Sequence, residues 1–305
     1  LSCFVWRSTS ILPILPFFIS DYIVSVLLNI LMRIALTESW MILSGYTGYI
    51  SLGHAAFFGV GAYIMALLWR KLPFFAIVPL GGLSSMFLAF AIGFPCLRIR
   101  GPYFVILTLG LSEFTKYLFI NWEVNVSGTV GRILMGAPDL HIFYYSMLVI
   151  AGLGVAVASW IRSSRFGVGL RSIKEDEEAA ESLGINTSVY KWLAFGISAF
   201  FPGLVGSVMA LRWTYIDPYT VFNPIVSFQI IVIAFLGGVT EVEGPLLGAI
   251  VLTLISEVLW AKYPYYYMII LGVILIILVY FIPTGILEPL KGLIKSRVAL
   301  KWRSS

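Results

Sequence analysis

Charge is what this sequence has least of. Lys, Arg, Asp and Glu together make up 11% of its 305 residues, while 60% are hydrophobic. A soluble domain carries about 25% charged residues, so this chain has too little polar surface to cover itself in water. Cysteine is nearly missing too: Cys3 and Cys96 are far apart, which excludes a disulfide framework and offers no metal-ligand spacing. No G-x-x-x-x-G-K-[ST] phosphate loop occurs, so the chain by itself is not expected to hydrolyse ATP. The strict alternation of a membrane barrel is also missing, and strands are not expected. The net charge of +5 resides in loops and tails, where it orients a membrane protein; it predicts no nucleic-acid partner.

What is present is a series of apolar runs from end to end. They predict an all-α fold, a polytopic transmembrane bundle of about ten segments forming a single transmembrane domain over 1–305 and surrounded by membrane lipid. The expected segments are 4–19, 22–44, 50–69, 74–97, 103–120, 142–161, 191–212, 225–239, 244–261 and 264–282. Residues 1–20 lack a small-x-small cleavage site and are read as a first span rather than a signal peptide. The distribution of Lys and Arg favours cytoplasmic termini, with a cytoplasmic loop at about 162–190 and a basic cytoplasmic tail at about 288–305. Segments 225–239 and 244–261 are read as two short spans rather than a re-entrant element.

The run from Gly45 to Tyr63 mixes five glycines, two hydroxyl side chains and a histidine with apolar residues. Gly45, Gly48, Ser51, Gly53, His54 and Gly59 fit either a solute path or close helix packing. Ser51, Ala55 and Gly59 share one helical face, and Gly196, Ala199, Gly203, Ser207 and Ala210 form a longer stripe of the same kind. Small side chains let helix backbones approach closely. Gly237, Gly238 and Gly244 repeat the pattern late in the chain. His54 is expected to bond a neighbouring carbonyl, or else to face the path. Charges within spans cost roughly 2.5–3.5 kcal/mol each. Arg33 and Glu38, five residues apart, are poorly placed to pair with each other, whereas Glu113 and Lys116 are an i,i+3 pair.

The long polar stretch at 162–191 reads as a short helix. Ser172 and Glu175 form an S-x-x-E capping box, acidic residues fill the first turns, and Gly184 is placed to end it. Ile173, Ala180 and Leu183 give it a small apolar stripe. It is either a solvated loop helix or a docking helix tied to the flanking spans.

Glu178-Ala179-Ala180-x-x-x-Gly184 resembles the EAA-x-x-x-G loop of bacterial ABC importer permeases. The blocks 45–63, 97–101, 169–198 and 236–249, in that order, are similar to the M-type permease of branched-chain amino acid transporters. Position 49 departs from that pattern, being Tyr where the family usually has Gln. The resemblance implies import of leucine, isoleucine and valine across a bacterial or archaeal cytoplasmic membrane, or of a related solute such as urea or a short amide. It implies a second homologous permease, two cytoplasmic ATP-binding subunits that hold the ATP and Mg, and an extracytoplasmic substrate-binding protein. No cofactor or catalytic residue is then expected in this chain, and Ser172, Glu175, Glu178, Ala179, Ala180 and Gly184 become the coupling residues. Two other classes compete. A secondary transporter would move protons through Glu113 or Glu38, and its uptake would follow a proton gradient rather than ATP. A polytopic enzyme would use His54 as base, but it lacks a convergent set of catalytic side chains at one depth.

Overall fold

The computed structural model describes residues 19–239 and 242–266, together with positions 16, 269, 270, 272, 273 and 276. Most of the expected segment 4–19, the larger part of 264–282 and the basic tail lie outside the described residues.

The small-residue stripe at 196–210 decides the architecture. It lies on α8 (Thr187–Trp213), which is buried along most of its length and forms the centre of the bundle. Against it pack α1 (Asp21–Trp40), α2 (His54–Leu68), α3 (Phe74–Cys96) and α5 (Leu140–Ser163). A Cβ on Gly61 would overlap the Gly203 carbonyl oxygen, one on Gly206 would overlap that of Phe58, and one on Gly81 would overlap the Ser207 hydroxyl. The three helices therefore meet backbone to backbone. Hydroxyls bond across the seams: Ser207 Oγ donates to the Gly61 carbonyl at 2.8 Å and Ser85 Oγ to that of Phe57 at 2.8 Å.

Around this centre lie α4 (Pro102–Ser127), α6 (Arg165–Glu175), α7 (Glu177–Ser182), α9 (Pro218–Val221), α10 (Pro224–Gly237) and α11 (Glu243–Lys262). Seven of the helical segments are long and apolar enough to cross a membrane, and α2 is a shorter apolar helix. Seven of the ten expected spans are thus present among the described residues, the expected span 50–69 is represented by the shorter α2, and the fold is the all-α polytopic bundle expected. The turn at 237–244 separates α10 from α11, whose backbones touch where Gly237 meets Gly244 and Gly248 meets the Ile233 carbonyl.

Two expectations about the spans and strands need correction. The second and third spans are not simple rods: α1 runs into one wider π turn at Met41–Gly45, residues 48–53 are not helical, and α2 starts at His54 rather than at 50. A two-residue ladder, β1 (Arg132–Ile133) against β2 (Tyr215–Ile216), joins two loops at the end of the bundle opposite α7.

At that opposite end, Glu123 is fully buried and holds the β1 loop, accepting from the Gly131 amide at 2.8 Å and Arg132 Nε at 2.9 Å. Glu123→Ala strands both donors. It is expected to cost about 1–3 kcal/mol, read as a lowered melting temperature of the detergent-solubilised protein.

Candidate functional site

Polar side chains gather where the α1–α2 link, the start of α4, the start of α8 and the α6–α7 elbow meet. The elbow is two helices rather than one. Ser164 caps α6 by accepting from the Gly167 amide, and α6 runs through Ser172 and Glu175, so the expected capping box does not form. Ser172 Oγ instead bonds back to the Val168 carbonyl at 3.1 Å. The cap of α7 is Asp176, whose carboxylate accepts from the amides of Glu178 and Ala179 at 2.9 and 3.0 Å. Asp is at least as good a cap as Ser, and here it leaves extended backbone between two short helices. Gly184, at φ +86°, ends α7: the Ile185 amide reaches the Ala180 carbonyl at 3.1 Å, as a left-handed C-cap requires.

The root of the elbow is a buried charge network that the sequence reading missed. Lys191, in the first turns of α8, donates to Glu177 Oε1 at 2.6 Å, to the Tyr49 hydroxyl at 3.1 Å and to the Leu97 carbonyl at 3.4 Å. All three ammonium hydrogens thus have acceptors within reach. Tyr49 OH donates to Glu177 Oε2 at 2.6 Å, and Arg100 stands 3.4 Å from Oε1. Burial pushes the Glu177 carboxyl up, but the hydrogen bonds from Lys191 and Tyr49 and the charges of Lys191 and Arg100 outweigh it and hold its pKa below the usual range. Lys174 Nζ, from α6, donates to the Gly45 carbonyl at 3.0 Å, and Thr187 Oγ1 donates to Glu181 Oε1 at 2.5 Å. Three chain segments are therefore tied to one elbow. A cleft of about 540 Å³ lined by Gly48, Tyr49, Arg100, Lys174 and Glu177 opens beside this network.

What remains outside is the opposite face of α7. The Glu178 side chain is 86% exposed and Leu183 81%, and Ala179 is exposed beside them, while Ala180 and Ile173 are buried. The expected apolar stripe therefore splits: Ile173 and Ala180 face inward and Leu183 outward. Glu178 lies 3.7 Å from Arg100 in a solvent-exposed pair.

The glycine-rich run gathers at the same end. Gly45 closes the π turn, and Gly48 adopts φ +76° against the Lys174 stem. Ser51 is buried: its carbonyl accepts from Trp40 Nε1 at 3.0 Å and its hydroxyl from the Gly53 amide at 3.2 Å. Gly53 is the residue before α2, and an amide on either side of it is met by a hydroxyl of another helix. Thr108 accepts from Leu52 N at 3.0 Å and Ser227 from Ala55 N at 2.9 Å. The expected carbonyl partner of His54 is not found: both ring nitrogens are buried with no hydrogen-bond partner among the described residues. Glu38 is likewise buried with neither oxygen bonded among them. Arg33 Nη1 reaches Ser256 Oγ at 3.5 Å, and α1 continues through it without a break. Gly59 packs on the Phe222 ring. Gly237, Gly238 and Gly244 join this end through Val239, which lines a cavity of about 340 Å³ with Gly45, Tyr46, Arg162, Arg171 and Lys174.

Comparison with known proteins returns one family, described as the permease component of branched-chain amino acid transport systems, matching residues 21–279. The high-affinity branched-chain amino acid permease LivM of Salmonella typhimurium is 29% identical, with 89% of this chain and 71% of the relative covered. LivM of Escherichia coli is 28% identical over the same shares. A nucleoside ABC transporter permease of Lactococcus lactis, NupC, is 25% identical over 37% of this chain and 38% of its own length. No solved structure matches.

Proposed function

This chain belongs to the permease-component family of branched-chain amino acid transport systems, and on that premise we propose that it is one membrane-spanning half of an ATP-driven importer for leucine, isoleucine and valine. It is a multi-pass membrane protein and a transporter subunit. In this reading it pairs with a second, homologous permease, and α6 and α7 face the cytoplasm. Two ATP-binding subunits, which carry the ATP and Mg, attach there, and a binding protein delivers the amino acid from outside.

The observation that carries the reading is the division of labour within α7. One face is rooted through Glu177 in Lys191, Tyr49 and Arg100, so it cannot move without α8. The other face offers Glu178, Ala179 and Leu183 to a partner. A rigid root with an exposed docking face is what force transmission needs, because a helix held only by solvated loops would absorb the displacement. Closure of the ATPase pair would push α7 and, through Lys191, tilt α8 with the helices packed on it. Of the residues assigned to the path (Gly45, Gly48, Ser51, Gly53, His54, Gly59), those from Gly45 to His54 lie at or next to this end, so the movement would reach them first.

Two measurements test this. Gentle purification from the native membrane should recover a second permease and ATP-binding chains in roughly equal numbers. Recovery of this chain alone, from a preparation that keeps other complexes whole, overturns the proposal. Glu178→Arg should reduce ATP-dependent leucine uptake at least roughly tenfold, the scale of a lost charged contact, with membrane insertion unchanged. Because Glu178 is exposed, its own contribution to folding is small, and the loss of uptake reports on docking.

A further inference from the structure

Glu113 and Lys116 form an ion pair one turn apart on α4. Each lies eleven residues from one end of that helix, about 16 Å in, so the pair sits near mid-membrane. Charged groups at that depth are expensive and almost always face a bundle interior or an aqueous path. Here Lys116 is largely covered within its own chain, but Glu113 is left open. Of the seven long spans α4 is the least buried, and the Glu113 side chain is 36% exposed and that of Lys116 12%. A carboxylate left open at that depth calls for a polar partner from outside the chain. Beside the pair, a Cβ on Gly110 would meet nothing within 4 Å, and Phe114 and Tyr117 present exposed rings. The Lys116 ammonium also lies 5.1 Å from the centre of the Tyr117 ring.

We infer that the Glu113–Lys116 pair lines the translocation path where α4 meets the second permease, and that it receives the charged head of a zwitterionic amino acid. The inference rests on the importer reading above and names how that importer recognises its cargo at mid-depth. The substrate ammonium takes the place of Lys116 at the Glu113 carboxylate, and the substrate carboxylate takes the place of Glu113 at the Lys116 ammonium. One ion pair opens and two form, with no net charge added to the membrane interior. When Glu113 turns to the substrate, the Tyr117 ring face still holds Lys116. The space over Gly110 and the rings of Phe114 and Tyr117 accept an apolar side chain without selecting its shape. A neutral pair also gives no deep well to a lone inorganic cation or anion.

The test uses the full complex in proteoliposomes, with radiolabelled leucine delivered by the binding protein and co-purification of partner chains scored alongside. Glu113→Gln and Lys116→Met should each raise the KM for uptake roughly 10- to 100-fold, as loss of a charged hydrogen bond permits. The deciding variant is the exchange Glu113→Lys with Lys116→Glu, which rebuilds an i,i+3 pair of opposite polarity. If the pair only holds α4 in shape, the exchange restores uptake, and that result overturns the inference. Single variants with unchanged KM overturn it equally. If the pair reads the substrate, the exchange variant assembles and remains defective. Failure of the wild-type complex to take up leucine on ATP is a different result: it removes the importer reading, and this inference with it.

Discussion

Lys191→Met should abolish coupled uptake and destabilise the protein by about 3–5 kcal/mol, the range for removing one partner of a buried ion pair. The Lys191 side chain is 4% exposed and Glu177 12%, so the surviving Glu177 carboxylate cannot be rehydrated cheaply. The partner change, Glu177→Gln, should cost less because Tyr49 OH can still donate to the amide oxygen. The double variant should be more stable than Lys191→Met alone, since the uncompensated charge is gone, but uptake should stay low because the root of α7 is lost. A double-mutant cycle on thermal unfolding, run beside ATP-dependent uptake, separates the two effects. If the double variant transports normally, the network is not the link between α7 and α8. The pH dependence has a definite sign. The folded pKa of Glu177 is depressed, so its contribution is complete above the ordinary glutamate value of about 4.3. It fades as pH falls below that value and through the folded pKa. At pH 6–8 the network should be insensitive to pH.

Gly61→Val is expected to prevent accumulation of the folded protein. Even the first carbon of a side chain at Gly61 would overlap the Gly203 carbonyl, a backbone atom that cannot turn aside. Overpacking in a well-packed core costs about 1–3 kcal/mol, and separating α2 from α8 also breaks the Ser207–Gly61 bond. The internal control is Gly152→Ala on α5, where a Cβ meets nothing within 4 Å. That change should be neutral or gain about 0.5–1 kcal/mol from helix propensity. Yield of monodisperse protein and its melting temperature measure both. Equal behaviour of the two variants would mean the α2–α8 seam is looser than described.

The bundle was largely legible because its information is local. Runs of apolar residues set the spans, and Gly196, Gly203 and Ser207 mark the face of α8 where neighbours come close. The elbow was harder. Ser172 and Glu175 satisfy a capping pattern, yet Asp176 stands one residue beyond and captures two amides, and pattern alone does not rank two overlapping caps. The Glu177–Lys191–Tyr49 network was not legible. Its partners lie 14 and 128 residues from Glu177, and only the helix packing brings them together. A lysine isolated in the opening turns of an apolar span was the available signal. So was Tyr49, already noted as the departure from the family pattern. The non-helical stretch 48–53 could be suspected from its glycines, but its stability depends on Thr108 and Ser227, which belong to other helices.

Backbone contact among α2, α3 and α8 has a mechanical meaning. Where side chains interdigitate, helices can slide by exchanging rotamers, and part of an applied displacement is lost as slip. Here glycine seams leave no such layer, so the three helices form a stiff beam with Lys191 at one end and the β2 loop at the other. α8 is about 40 Å long, and a tilt of about 5° at its base displaces the far end on the order of 3 Å. A small step at one membrane surface would thus arrive at the other nearly undiminished.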